Sequence, residues 1–168
     1  HYRLARIEYG RGNWEGAERA YTDYLERYAR GGGGKYAGAS RYELAIARIG
    51  AKERTEDAAQ TLGQLAKRER RASRRASLTE LEAVALELTH EPARVREAIA
   101  KYRSVIDEFP LSFAARASAA RLRALGDVDG SNARAELPRF DTLLADPLRL
   151  PEKAQLLADI GLHTDAER

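Results

Sequence analysis

The chain is 168 residues long, 43% apolar and 33% charged, with a formal net charge of +3, no Cys and no Met. That length fits one compact domain or one continuous solenoid; the lack of thiols excludes a disulfide scaffold, a Cys-ligated zinc site and a thiol nucleophile, and His1, His90 and His163 stand too far apart for HExxH. With 24 Arg and 31 Ala against 5 Lys, the isoelectric point reflects Arg dominance rather than a strong positive field, so nucleic acid is not an expected partner and no cofactor is expected.

The chain opens at His1 and reads as a segment processed or excised from a longer protein. No apolar run approaches the roughly 20 residues of a transmembrane segment. A protein without thiols fits an oxidising periplasm as well as a cytoplasm. The first predicted element is a short helix with Leu4 and Ala5 at its core positions. Asn13 is the expected N-cap of a second helix to Tyr28, which places Trp14, Ala17, Ala20, Tyr21, Tyr24, Leu25 and Tyr28 on one face and Glu15, Glu18, Arg19, Asp23, Glu26 and Arg27 on the other. Gly31 to Gly34 before Lys35 superficially resembles a phosphate loop. A helix precedes it and Tyr36 follows, where a strand and Ser or Thr are required, so it reads as a flexible connection between repeats.

A helix bearing Leu44 and Ala45 is followed by one bearing Ala58, Leu62, Leu65 and Ala66. Continued as one helix, the second carries Lys67, Arg68, Arg70, Arg71, Arg74 and Arg75 on a single arc opposite Ala72 and Ala76. That arc has the form of a solvated outer face, with an anion-binding face as the alternative. Aromatic residues do not interleave with it, so a stacking platform for single-stranded nucleic acid is not supported. A helix bearing Val84 and Ala85 precedes one from Pro92 to Phe109 with Val95, Ala98, Ile99, Tyr102, Val105 and Ile106 on one face, its proline at a tolerated first-turn position. After Pro110, Phe113 to Leu125 reads as a helix ended by Gly126. Asn132 to Ala145, interrupted at Pro138, and Glu152 to Ile160 read as further helices either side of a break at Asp146 to Pro151. Gly161, His163 and Ala166 recapitulate Gly12, Trp14 and Ala17, the start of a helix the sequence does not finish, and imply that the natural protein continues.

These elements repeat with a period near 40 residues. Ala5, Ala45 and Ala85 correspond in the first helix of each unit, and Ala17, Ala58 and Ala98 in the second, together with Tyr21, Leu62 and Tyr102. Small residues there permit close antiparallel approach of two helices. The expectation is all-α: a TPR-like α-α superhelix, a solenoid of antiparallel helix pairs at about 1–30, 35–76 and 78–110, then looser helices over 111–168, all in one domain.

Leu4, Ala5, Gly12, Trp14, Ala17, Tyr21 and Tyr24 resemble the tetratricopeptide (TPR) signature, and Ala98, Tyr102 and Pro110 repeat its second half. The period departs from the 34 or so residues of that family. Phe109-Pro110-Leu111-Ser112-Phe113-Ala114-Ala115-Arg116-Ala117 with Arg121-Leu122, and Leu156 to Leu162 with Ala166-Glu167, resemble the helical superhelix of soluble lytic murein transglycosylases. Ala114 stands where that family usually has a second aromatic. The resemblance implies a periplasmic, non-catalytic scaffold that positions a murein glycan or a protein partner. Cleavage in the family belongs to a separate domain whose Glu-Ser pair and Gly-Leu-Met-Gln segment do not occur here, so no catalytic residue is assigned. The alternative is a TPR adaptor within a cell-envelope assembly complex.

Seven of the eight Tyr lie within the first 42 residues. Tyr21, Tyr24 and Tyr28 occupy the packing stripe, which leaves Tyr36 and Tyr42 as the candidate sugar or peptide contacts. Lys67, Arg68, Arg71, Arg74 and Arg75 are the candidate anion-binding residues. Carboxylate pairs such as Glu80/Glu82 and Asp107/Glu108 read as charged helix faces, without the burial that acid–base work requires.

Overall fold

The computed structural model describes residues 1–28 and 34–126. Expectations for Gly31 to Gly33 and for everything beyond Gly126, including the helices at 132–145 and 152–160 and the recapitulated start at Gly161, lie outside the described residues. Those residues form α1 (Tyr2–Gly10), α2 (Trp14–Tyr28), α3 (Ala37–Ala51), α4 (Thr55–Arg68), α5 (Ala72–Glu87), α6 (Pro92–Glu108) and α7 (Phe113–Ala124), with no strand among them. Each helix packs on the next, and α1 also touches α3 while α5 touches α7, which makes a stack of helix pairs. The fold is the expected TPR-like α solenoid.

Local chemistry sets the helix ends. Asn13 caps α2, its Oδ1 accepting the Gly16 N–H at 3.2 Å while its amide donates to Glu8 Oε2 at 2.6 Å. Ser112 caps α7 by accepting the Ala115 N–H at 3.0 Å, and Pro92 opens α6 at its first turn. The turn inside each pair requires left-handed backbone. Gly12 supplies it in the first pair (φ +72), whereas Lys52 (φ 56) and Arg54 (φ 48) in the second and His90 (φ 59) in the third adopt it without glycine's freedom.

The alanine seam is fully buried. Ala5, Ala45, Ala85, Ala17, Ala58 and Ala98 are all at 0% exposure, as are Tyr21, Leu62 and Tyr102 one turn further on. A methyl side chain at the crossing lets two helices approach at the short end of the usual interaxial range. The larger rings and Leu62 then fill the space between pairs. The main core cluster joins the second and third pairs; a smaller one joins α1, α2 and α3. Trp14 lies so close to Gly50 that a Cβ there would sit 2.6 Å from its ring, so that glycine is the floor on which the first pair rests.

Three expectations are corrected. Residues 66–76 do not form one helix: α4 ends at Arg68, Glu69 and Arg71 are extended, and α5 starts at Ala72. The break is built by Glu69, whose carboxylate accepts the Arg71 N–H at 3.0 Å. The third pair therefore opens at Ala72, before the expected residue 78. Leu4 and Tyr28, expected on packed faces, are each 53% exposed. Conversely Glu18, expected on the polar face, is buried. Its carboxylate accepts from Arg48 Nε at 3.0 Å and from Arg54 Nη1 at 3.4 Å, while Asp57 lies 2.7 Å from Arg54 Nη2. This network ties α2 to α3 and α4, where an unpaired charge would be costly.

Candidate functional site

The N-terminal turn of α1, the C-terminal end of α2 and the entry to α3 enclose a shallow groove of about 980 Å³. Its walls are aromatic. Tyr2 stacks on Tyr36 with ring centroids 4.3 Å apart and planes 2° from parallel, and Tyr24 lies 5.6 Å from Tyr2 and 5.7 Å from Tyr28. His1 packs beside Tyr28 and pairs with Asp23 at 2.8 Å. Exposed Ile7 adds an apolar side chain. Arg3, Arg6 and Lys35 line the same space, and none of the described lining residues is acidic. Lys35 Nζ sits 5.4 Å from the centre of the Tyr36 ring. Arg6 pairs at 4.0 Å with Glu43, which is mostly covered. Its carboxylate also accepts the Tyr21 hydroxyl at 2.6 Å; burial, then this bond, holds the phenol well above its ordinary pKa.

Of the two candidate tyrosine contacts, the structure brings Tyr36 into the groove and keeps Tyr42 out of it. Tyr42 is half-buried against the core cluster of the second and third pairs. Tyr2, Tyr24 and Tyr28 are lining residues that sequence reasoning assigned to packing or left unassigned. Tyr28 is missed because it falls on the packing stripe of α2, and helix periodicity records which face a residue occupies, not whether a neighbour covers it.

The basic run divides. Arg74 Nε lies 3.3 Å from Glu69 Oε2, and Arg75 stacks over Phe109 at 5.2 Å. Glu69 is held below the usual carboxylate range chiefly by the Arg71 N–H, with help from nearby guanidinium groups. Lys67, Arg68, Arg70 and Arg71 are exposed. The six cations thus occupy two helices and a turn, and the single arc expected from the sequence does not exist.

The carboxylates of α5 also depart from expectation. Glu82 and Glu87 are partly covered, Glu82 pairing with Lys101 at 2.9 Å and Glu87 accepting from Tyr102 at 2.7 Å and from Arg121 at 3.2 Å. Burial raises the Glu80 pKa, Glu87 adding to the effect and Arg121 opposing it. These groups join α5 to α6 and α7. Among the described residues no cluster of His, Asp or Glu has the geometry to hold a metal ion.

Residues 1–30 match the tetratricopeptide repeat family. No curated protein matches the chain. The matched pair is also the one that keeps Gly12 at its turn, the position taken by Lys52 and His90 in the later pairs. Together with the stacked helices, the match makes the chain similar to TPR-like helical repeat proteins, whose stacked repeats present extended binding surfaces.

Proposed function

We propose that the chain is a non-catalytic interaction scaffold and that its partner engages the tyrosine groove of the first pair. The carrying observation is the groove itself: four tyrosine rings, stacked as Tyr2 on Tyr36 and Tyr24 on Tyr28, beside Arg3, Arg6 and Lys35 with no acid among the described lining residues. Rigid aromatic faces supply contact area at small entropic cost, and arginine beside them is the composition of interaction hot spots. Selection from a displayed peptide library against the intact chain tests this. Enriched peptides should carry apolar and acidic residues, and Tyr36→Ala or Arg3→Ala should weaken them on the order of tenfold or more. Enrichment that both variants leave untouched would remove the groove from the function.

The narrower form of the reading makes this scaffold the arm of a periplasmic murein transglycosylase, with murein glycan as the positioned ligand and adaptor activity in envelope assembly as its rival. It draws on the resemblance of Phe109 to Leu122. Part of that segment also has local duties here, since Ser112 caps α7 and Phe109 carries Arg75. Sedimentation with purified murein sacculi, and fractionation of cells that make the parent protein, separate the two. Retention on sacculi that Tyr36→Ala abolishes supports the murein arm.

A further inference from the structure

The first turns of α5, which follow directly on the turn at Glu69 to Arg71, meet the end of α6 and the start of α7 at one end of the helix stack. Arg75, over the Phe109 ring, joins them, and Ala76, Val105, Ala114 and Ala115 form the core beneath. On one side of this junction stand Lys67, Arg68, Arg70 and Arg71, exposed and with no ion-pair partner among the described residues. Glu69, the one acid in that run, is turned back onto the Arg71 N–H and Arg74. On the other side Leu111 and Phe113 are 94% and 85% exposed, far beyond any other large apolar side chain described. Capping explains Ser112 between them, but neither exposed neighbour contributes to the cap.

Four exposed cations outside any described ion pair, with two protruding apolar side chains at the same end of the stack, suit a lipid surface. At an anionic bilayer, guanidinium and ammonium groups meet lipid phosphates while Leu and Phe enter the boundary of the acyl chains. Single-stranded nucleic acid would call for aromatics among the cations, and none stands between Lys67 and Arg71. We propose that this end of the stack docks peripherally on an anionic lipid surface, held by Lys67, Arg68, Arg70 and Arg71 and seated by Leu111 and Phe113. Among the described residues no helix is long and apolar enough to cross a membrane.

Co-sedimentation of the full chain with phosphatidylcholine vesicles, with and without phosphatidylglycerol, is the test. Binding is expected only to the anionic vesicles and should weaken with salt. Each cation at such a surface is worth about a factor of five, so Arg68→Ala with Arg71→Ala should lower partitioning on the order of twenty-five-fold. Leu111→Ser with Phe113→Ser should spare binding at low salt and remove the fraction that survives high salt. The substituted side chains are exposed, so the melting temperature should hold; if it falls, Lys67→Gln with Arg70→Gln repeats the test at the same corner. Equal binding to both vesicle types, no binding to either, or unchanged binding of the arginine variant overturns the proposal. Binding to soluble polyglutamate without binding to vesicles also overturns it and assigns the corner to an acidic protein.

Discussion

In the first helix pair Leu4 is 53% exposed, whereas its register partners Leu44 and Val84 in the second and third pairs are at 8% and 5%. The alanines beside them, Ala5, Ala45 and Ala85, are all at 0%. The seam within a pair is therefore closed by the pair itself, and the face between pairs is closed only where a neighbour is stacked on it. At the C-terminal ends of α2 and α6 the same contrast sets exposed Tyr28 against Phe109, which lies under Arg75. The groove opens on this exposed face of the first pair, where the second and third pairs have their equivalent side chains covered.

The comparison can be broken or sharpened by substitution. Leu62→Ala removes a side chain at 0% exposure between the second and third pairs and should cost about 4 kcal/mol in denaturant unfolding. A loss under about 1 kcal/mol would mean the pairs barely depend on each other. Arg48→Ala strips Glu18 of its buried partner and leaves it only the more exposed Arg54. About 3 kcal/mol should be lost, and Glu18→Gln in the same background should recover part of it. The direct trial of register against stacking is Leu44→Ala beside Leu4→Ala: about 2 kcal/mol for the first and under about 0.5 for the second. Equal costs would show that the face of the first pair is covered in solution.

The smallest effect concerns Glu80. Its folded-state pKa is raised by burial, so the folded form holds the proton more tightly than the unfolded chain does. The stability this gives is full below the ordinary carboxylate pKa of about 4.3 and is lost as pH rises through the raised folded value. Melting temperatures of the wild type should therefore decline slightly over that interval relative to Glu80→Gln. Parallel profiles would place Glu80 in water.

Period and small-residue spacing were enough to assign helix pairs, their alanine seam, the cap at Asn13 and the first-turn proline Pro92, because each depends on side chains a turn or two apart. Periodicity failed at Lys67 to Arg75. A helix wheel extends any compatible run, and the break made by the Glu69 carboxylate bonding to the Arg71 N–H leaves no trace in hydrophobic spacing. It also put Glu18 in water, since the arginine that neutralises it stands 30 residues away on α3. Tyr36 was legible as a candidate because it falls outside the register, but its stacking on Tyr2 was not.

Within one helix, geometry is dictated by neighbours three and four positions apart, and the sequence alone determined the α-helical repeats and the residues at each crossing. Only the tertiary structure decided which equivalent faces are covered, which charges are paired and where the tyrosines converge. Those outcomes depend on what another helix places opposite each residue, and a period common to all the pairs carries no record of that.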